Sequence, residues 1–308
     1  MTKSSAEDKP APRFPRRVLG RLLPGKARRP GRNVIAFTTH KAGSMVLHRV
    51  LKDICELNRI QYYSSSRSQL PFERLFAGED FIAKRSGCFG PVRFFVPTRA
   101  LDEASIILHL RDPRDVLVSM FYSYCYMHAG EIEAHTGYRK KVAEAGIDKF
   151  VLDMVGAGFD EYRGDYGIGS RYKEHVGNVR DRYERYLVEL CDRPNTIVLS
   201  YEEMVLAFPS WLDKLLAAFS LTNPEETFAV VEARHANSVS AGEEEDIWAH
   251  KRKVTPGDHR EKLQPGTIRR LDEIFAPVLY RLGYLNAAYA ATGIPQQPGR
   301  QGDGRARG

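Results

Sequence analysis

NVIAFTTHKAGSMVLHRVLKDICE, residues 33–56, is the stretch on which the fold turns. Residues 34–39 are a compact apolar and β-branched run of buried-strand type, and Val46, Leu47, Val50, Leu51, Ile54 and Leu57 then recur at helical spacing. The link between them, Lys41, Ala42, Gly43 and Ser44, is short, so the strand runs directly into a helix N-terminus. Backbone N–H groups and the positive end of the helix dipole face outward there, and Lys41 adds a full charge. The unit reads as a phosphate cradle, although the same residues also admit a plain strand-to-helix turn carrying a solvated lysine. The nucleoside-triphosphate loop G-x-x-x-x-G-K-[ST] is absent, because Lys41 precedes Gly43 and Ser44.

Outward from this unit, helix and strand patterns alternate. Residues 62–68 read as a polar loop, 71–81 as a short helix and 93–96 as a strand ending at Pro97. ASIILHL (104–110) is a second buried strand and feeds RDPRDVLVSMFYSYCYMH. There Asp112 is a good N-cap, Pro113 occupies the favoured first helical position and Asp115 complements the helix dipole. Residues 129–169, rich in glycine, charge and tyrosine, read as helix plus a long loop that shapes a substrate entrance. A helix over 170–190 precedes a third strand, TIVLS (196–200), which is followed by YEEM and a helix through Trp211 to Phe219. Residues 240–266 read as a polar loop, and 267–282 as a last amphipathic helix closing at Gly283. This alternation predicts an α/β fold of three layers, α/β/α, with a mostly parallel central sheet and ligands at the carboxyl ends of the strands.

The 308 residues are 43% hydrophobic, enough for one sizeable core, so a single domain over 33–290 is expected between disordered tails at 1–32 and 291–308. The formal charge of +7 is concentrated at one end: residues 1–32 hold ten Lys or Arg against two acids. The remainder is near neutral, which argues against a basic nucleic-acid-binding face and leaves a basic, proline-bearing arm as a solubilising leader or a contact for acidic surfaces. No apolar run is long enough for a transmembrane helix, and the N-terminus lacks the apolar region of a secretory signal. Cys55, Cys88, Cys125 and Cys191 are widely spaced with no Cys-x-x-Cys pair, so neither a disulfide framework nor a zinc site is expected and the cytoplasm is the simplest compartment.

Three separated segments place basic or hydroxyl groups at predicted strand ends. Arg111 lies at the exit of the second strand, Ser119 about two turns into the following helix, and Arg252 and Lys253 in RKVTPGDHR (252–260). Arginine forks, a hydroxyl and a helix end together hold a phosphate. With Lys41 marking a second phosphate, the set suits a nucleoside phosphorylated at both ends. Singly, Arg111 also reads as an ion-pair partner of Asp112 or Asp115, Ser119 as a helix-face serine, and Tyr201 as a core aromatic.

HKAGSMV, RDPRDVLVS (111–119) and RKVTPGDHR resemble, in order, the motifs P-K-S-G-T-T-W, R-N-P-K-D-x-x-x-S and R-K-G-x-x-G-D-W-K of the sulfotransferases that use 3′-phosphoadenosine-5′-phosphosulfate (PAPS). GSRYKEHV (169–176) and SYEEM (200–204) resemble that family's G-S-x-Y-x-x-H-V and Y-E-D-M segments. The resemblance runs from about residue 33 to 285 and implies a P-loop-like nucleotide-binding architecture. It implies that Lys41 and Ser44, with the amides of the Ala42–Gly43 turn, hold the 5′-phosphosulfate, that Arg111, Ser119, Arg252 and Lys253 hold the 3′-phosphate, and that Tyr201 contacts the adenine. Lys41 is then the catalytic residue, stabilising charge on the leaving phosphate oxygen. Departures fall at Met45, Val46, Val254 and His259, and no histidine occurs between His48 and His109, where many members place the base. His40, His48, Glu56, Glu73 and Glu79 remain candidate bases.

The implied reaction is in-line sulfonyl transfer, without a metal, from PAPS to a hydroxyl or amine of a small-molecule or glycan acceptor. The acceptor pocket is expected from residues 62–95 and 127–169. Two other readings stand beside it. A P-loop-like small-molecule kinase would need a Mg²⁺-holding acid and the missing loop. A non-catalytic nucleotide-binding protein of the same fold would need only the cradle.

Overall fold

The computed structural model describes residues 32–64, 70–71, 74–75, 78–127, 136–156, 177–239 and 254–297. Strand β1 (Val34–Thr38) leads into helix α1 (Ser44–Leu57), then β2 (Tyr62–Ser64), β3 (Cys88–Val92) and β4 (Ser105–Leu110). Helices α2 (Pro113–Tyr122), α3 (Thr136–Ala145), α4 (Ile147–Gly156) and α5 (Val179–Tyr186) separate β4 from β5 (Thr196–Ser200). The chain continues through α6 (Tyr201–Leu206), α7 (Phe208–Leu216), α8 (Pro224–Val239), α9 (His259–Lys262), α10 (Pro265–Leu282) and α11 (Ala287–Thr292). The five strands are all parallel, in the order β2-β3-β1-β4-β5.

Period-two alternation splits the apolar residues between two faces. Val34, Ala36, Ile107 and Leu199 pack with α1, α6 and α7 through Leu47, Leu51, Met204 and Trp211. Ile35, Phe37, Ile106 and Leu108 pack on the opposite side with α2, α4, α5 and α10 through Leu117, Val151, Tyr183 and Phe275. Both faces are therefore covered, as a parallel sheet requires, and each fully buried aliphatic side chain contributes about 1.5–3 kcal/mol. From β1 the chain crosses to the β2 edge, whereas from β4 it crosses toward β5. Neighbouring strands that send their connections in opposite directions open a crevice at their carboxyl ends, here between β1 and β4.

The structure relocates several expected elements. The strand expected at 93–96 lies instead at Cys88–Val92. Between the pairs Ile35↔Phe89 and Phe37↔Val92, β3 carries one extra residue, a bulge at which Gly90 passes so close to β1 that a Cβ would lie 2.5 Å from the Ala36 carbonyl oxygen. Glycine, cysteine and proline conceal this strand from a propensity reading, while the more conspicuous Phe94, Phe95 and Val96 are buried without joining the sheet. The polar loop expected at 62–68 begins as edge strand β2, whose Tyr63 stacks on Phe89 across the pair at 4.8 Å and 7°. Helix α8 has no counterpart in the sequence reading, because its buried stripe is Thr227, Val231, His235 and Val239, of which two are polar. The helix expected at 267–282 starts at Pro265 and closes at Gly283, but α11 follows it. Position 291 falls inside α11, and Asn286 Nδ2 donates to the Gln296 carbonyl at 2.6 Å. Residues 1–31, the 169–176 segment, Arg252 and Lys253 lie outside the described residues. Among those described, no helix is long and apolar enough to cross a membrane.

Candidate active site

The loop between β1 and α1 is built around two left-handed residues, Lys41 at φ 64° and Gly43 at φ 72°. A lysine held in that region costs about 1–3 kcal/mol, a strain that persists only where surrounding contacts enforce it and that clusters at functional sites. Gly43 is the N-cap of α1, and no side chain caps the helix. With no capping side chain, the amides at the start of α1 keep the geometry that makes a helix N-terminus an anion site. A Cβ at Gly43 would lie 2.8 Å from Met204 Cε and 3.0 Å from Tyr201 Cδ2, so α6 is pressed against the turn. Ala42 and Ser44 are buried beside it, and Lys41 is half-buried.

On the β4 side, Arg111 is buried and its Nη1 donates to the Lys41 carbonyl at 3.1 Å. Its guanidinium carbon lies 4.3 Å from the centre of the Tyr201 ring, and Nη2 is 3.7 Å from Asp115 Oδ2. Among the described residues, the buried Nε of Arg111 has no hydrogen-bond partner. A desolvated cationic donor without an acceptor is costly unless an anion completes it. Asp115, read from sequence as a helix-dipole acid or an ion-pair partner of Arg111, ties the third segment to this point. Its Oδ2 accepts from the Gly257 amide at 2.7 Å, and its Oδ1 accepts from the His259 amide at 2.9 Å and lies 2.7 Å from His259 Nδ1. Burial opposes its ionisation, but the His259 hydrogen bond and the Arg111 charge hold the Asp115 carboxyl below its ordinary range. His259 thus anchors to α2 the segment that begins immediately after Arg252 and Lys253. Ser119 is half-buried two turns along α2, and among the described residues no hydrogen bond joins it to Arg111 or the loop.

Two further layers hold this arrangement. Asp112 caps α2 by accepting from the Arg114 amide at 2.9 Å, and it also receives the Arg114 side chain at 2.9 and 2.6 Å. Glu202, next to Tyr201, accepts from the Asp112 amide at 3.0 Å and from the Tyr284 hydroxyl at 2.9 Å, which fixes α6 to the start of α2. Burial, with the nearby Asp112 and Asp115 charges, pushes the Glu202 carboxyl up to about 8. From the other face, α5 is started by a capping box at Asn178 and Asp181 and presents Arg182, Tyr183 and Tyr186 to the strand exits. Tyr183 donates to the Arg111 carbonyl at 2.5 Å, Tyr186 to the Thr38 carbonyl at 2.7 Å, and Arg182 lies 3.0 Å from His40 Nδ1.

On the β3 side, Arg93 leaves the strand and its Nε donates to Ser44 Oγ at 3.2 Å. Nothing in the sequence singled out Arg93, because the bulge that aims it is invisible to periodicity. His48 and Tyr62 meet on the same side, with Nδ1 2.8 Å from the hydroxyl. Of the other base candidates, Glu56 is exposed and paired with Lys52 at 3.3 Å, Glu79 is paired with Arg74 at 2.6 Å, and Glu73 lies outside the described residues. The structure therefore brings together Lys41, Gly43, Ser44, Arg111 and Tyr201, and adds Arg93, Asp115 and the α5 side chains.

Among solved structures, mouse sulfotransferase SULT7A1 complexed with PAP is similar at a TM-score of 0.52 and 16% identity, over 84% of this chain and 86% of that one. Retinol dehydratase in complex with androsterone and inactive cofactor PAP follows at 0.47 and 14%, over 82% of each chain. At these identities the first comparison speaks to the fold alone. No curated protein sequence matches significantly. A family model described as Sulfotransferase domain matches residues 91–283, a span that contains Arg93, Arg111–Ser119, Tyr201 and the 254–260 segment. On that match, which covers more than half of the chain, the protein belongs to the sulfotransferase-domain family and is a sulfonyl-transferring enzyme.

Proposed function

We propose that the sulfonyl donor is PAPS and that the acceptor is a hydroxyl or amine of a small molecule or glycan. The observation that carries this reading is Arg111, a buried guanidinium that bonds the phosphate-loop carbonyl, lies over Tyr201 and keeps Nε without a partner among the described residues. It supports a second anion beside the one that the 41–44 loop suits, and two anions flanking a nucleoside are what PAPS presents. The solved complex of the fold neighbour SULT7A1 with PAP supports the same donor. Lys41, Ala42, Gly43 and Ser44 would hold the 5′ end. Arg111 and Ser119, with Arg252 and Lys253, would hold the 3′-phosphate, and Tyr201 would contact the adenine. The wide spacing of Cys55, Cys88, Cys125 and Cys191, with no Cys-x-x-Cys pair, supports a reducing compartment, the cytoplasm.

When bound, PAPS supplies an electrophilic sulfonyl group on a phosphate leaving group. The chain's own contribution is positioning and charge. Lys41, three residues before α1, would supply an ammonium to the negative charge of the leaving oxygen. Arg93, held on Ser44, supplies a second cation from the opposite flank. Donors preorganised in this way are worth about 10²–10³-fold each in turnover.

Thermal denaturation with 3′,5′-phosphoadenosine (PAP) tests the donor. PAP is expected to raise the melting temperature, and ATP with Mg²⁺ to leave it unchanged, since only a ligand of the native state stabilises it. Equal stabilisation by both would favour the kinase reading. PAPS-dependent modification of a panel of phenols, alcohols and amines then identifies the acceptor class.

A further inference from the structure

Three consecutive residues at the exit of β1 are each met by one side chain of α5. The Tyr186 hydroxyl donates to the Thr38 carbonyl at 2.7 Å, Thr39 Oγ1 lies 3.5 Å from the Tyr183 hydroxyl, and Arg182 Nη1 lies 3.0 Å from His40 Nδ1. Tyr183 gives its own proton to the Arg111 carbonyl, so the same helix also grips the exit of β4. Directly after His40 the backbone turns left-handed at Lys41, whose carbonyl accepts from Arg111. The phosphate loop is thus held on its β4 side by Arg111 and at its entry by Arg182. Such contacts are what a non-glycine residue needs in order to stay in the left-handed region.

Arg182 is buried, and its two terminal nitrogens act in different places. Nη2 donates to the Gly177 carbonyl at 3.0 Å, next to the Asn178 capping box that starts α5, while Nη1 reaches His40. The first bond fixes the guanidinium to its own helix end, so the second transmits the position of α5 to the loop. A guanidinium only donates, so His40 Nδ1 presents its lone pair and the neutral ring carries its proton on Nε2. Protonating Nδ1 turns that acceptor into a donor and sets two cations face to face at a half-buried position. Among the described residues, the other titratable or charged groups around this exit are Tyr183 and Tyr186 on α5, Lys41 in the loop and Arg111 at the end of β4. Burial holds both phenols above their ordinary range, so none of these four groups supplies a negative charge to offset an imidazolium.

We propose that Arg182 is a positioning residue of the transfer: through His40 Nδ1 it fixes the entry to the phosphate loop, and with it Lys41, for as long as the imidazole is neutral. This rests on the PAPS reading above. Neither Arg182 nor His40 need touch the nucleotide. Their contact sets where the loop begins, and a loop set slightly wrong costs both donor binding and turnover.

The test combines ¹⁵N NMR of the imidazoles in the full-length protein with PAP calorimetry and PAPS turnover against phenols and alcohols, each at about pH 8 and about pH 5.5. The neutral His40 ring is expected as the Nε2–H tautomer. His40→Ala and Arg182→Met, which each take away one side of the contact, should weaken PAP binding and lower kcat by about 10–10²-fold at the higher pH. His40→Asn places an amide oxygen where Nδ1 accepts, so it should recover most of that loss. Phosphates titrate near pH 6 themselves, so the difference between proteins is the readout: the unaltered protein should lose more affinity in acid than His40→Asn does. Should Arg182→Met fail to fold, the two His40 variants decide. An Nδ1–H ring, His40→Ala with unchanged affinity and kcat, or equal acid losses in the unaltered protein and His40→Asn overturns the assignment of Arg182. So does a His40→Asn protein that binds PAP normally but has lost turnover at both pH values, since His40 would then act on the acceptor directly. Absence of PAP binding to the unaltered protein at either pH overturns the PAPS reading, and this inference with it.

Discussion

On the β4 flank of the 41–44 loop, Arg111, Asp112, Asp115 and Glu202 are all buried, and each is joined to at least two others or to a neighbouring element by hydrogen bonds or an ion pair. On the β3 flank, Arg93 and His48 are half-buried and lean on hydroxyl partners, Ser44, Tyr62 and Ser64. A closed ionic network is rigid and intolerant of losing one member, because the abandoned charge stays buried. A half-buried set resting on neutral hydroxyls can face a variable acceptor at lower cost. Under the proposed function the contrast gives nucleotide holding to the first flank and charge handling to the second, and substitutions on each flank should separate the two.

The largest effect is expected from Arg111→Ala. It removes the ion pair to Asp115 and the proposed 3′-phosphate contact, so PAP affinity measured by calorimetry should fall by about 2–5 kcal/mol. Lys41→Ala should lower kcat with PAPS by about 10²–10³-fold with a smaller change in PAP affinity, as read from steady-state kinetics beside calorimetry. Next comes the pH dependence of stability. Glu202 is held near 8 in the fold against 4.5 ordinarily, so the native state binds the extra proton, and this group's contribution falls as pH rises from about 4.5 to about 8. Glu202→Gln should remove that decline, a difference of at most about 1.4 kcal/mol per pH unit in denaturant titrations. Arg93→Ala is smaller, with kcat down about tenfold and PAP affinity retained. His109→Phe should be smallest at neutral pH, within about 1.5 kcal/mol. Burial pulls His109 down to about 3, so the unaltered protein loses this group's contribution as pH falls below about 6.5, and the variant should be relatively more stable in acid.

The same contrast explains what was legible in the sequence. The β4 flank is written in contiguous strings: ASIILHL, then Arg111 to Ser119, each element announced by its cap or its apolar run. Asp115 was visible there, four residues after Arg111, but its bond to His259 spans 144 positions and no local pattern encodes it. The β3 flank is assembled from α1, a three-residue edge strand and a bulged strand. Tyr62 and Ser64 sit in what reads as loop, and Cys88 to Val92 carries too much glycine and proline to score as a strand, so neither the Tyr62–His48 pair nor Arg93 had a periodic signal. Tyr201 shows the limit of choosing between readings: it is a buried core aromatic and it also lies under Arg111. The polar stripe of α8 hid a 16-residue helix for a related reason, since its burial follows tertiary packing and not hydrophobicity.

Calorimetric titration of PAP into the unaltered protein, Arg111→Ala and Arg93→Ala tests the division of labour most directly. The account predicts tight binding to the unaltered protein, retained binding to Arg93→Ala, and a loss of about 2–5 kcal/mol in Arg111→Ala. Binding that survives Arg111→Ala unchanged, or that is lost equally in Arg93→Ala, would contradict it.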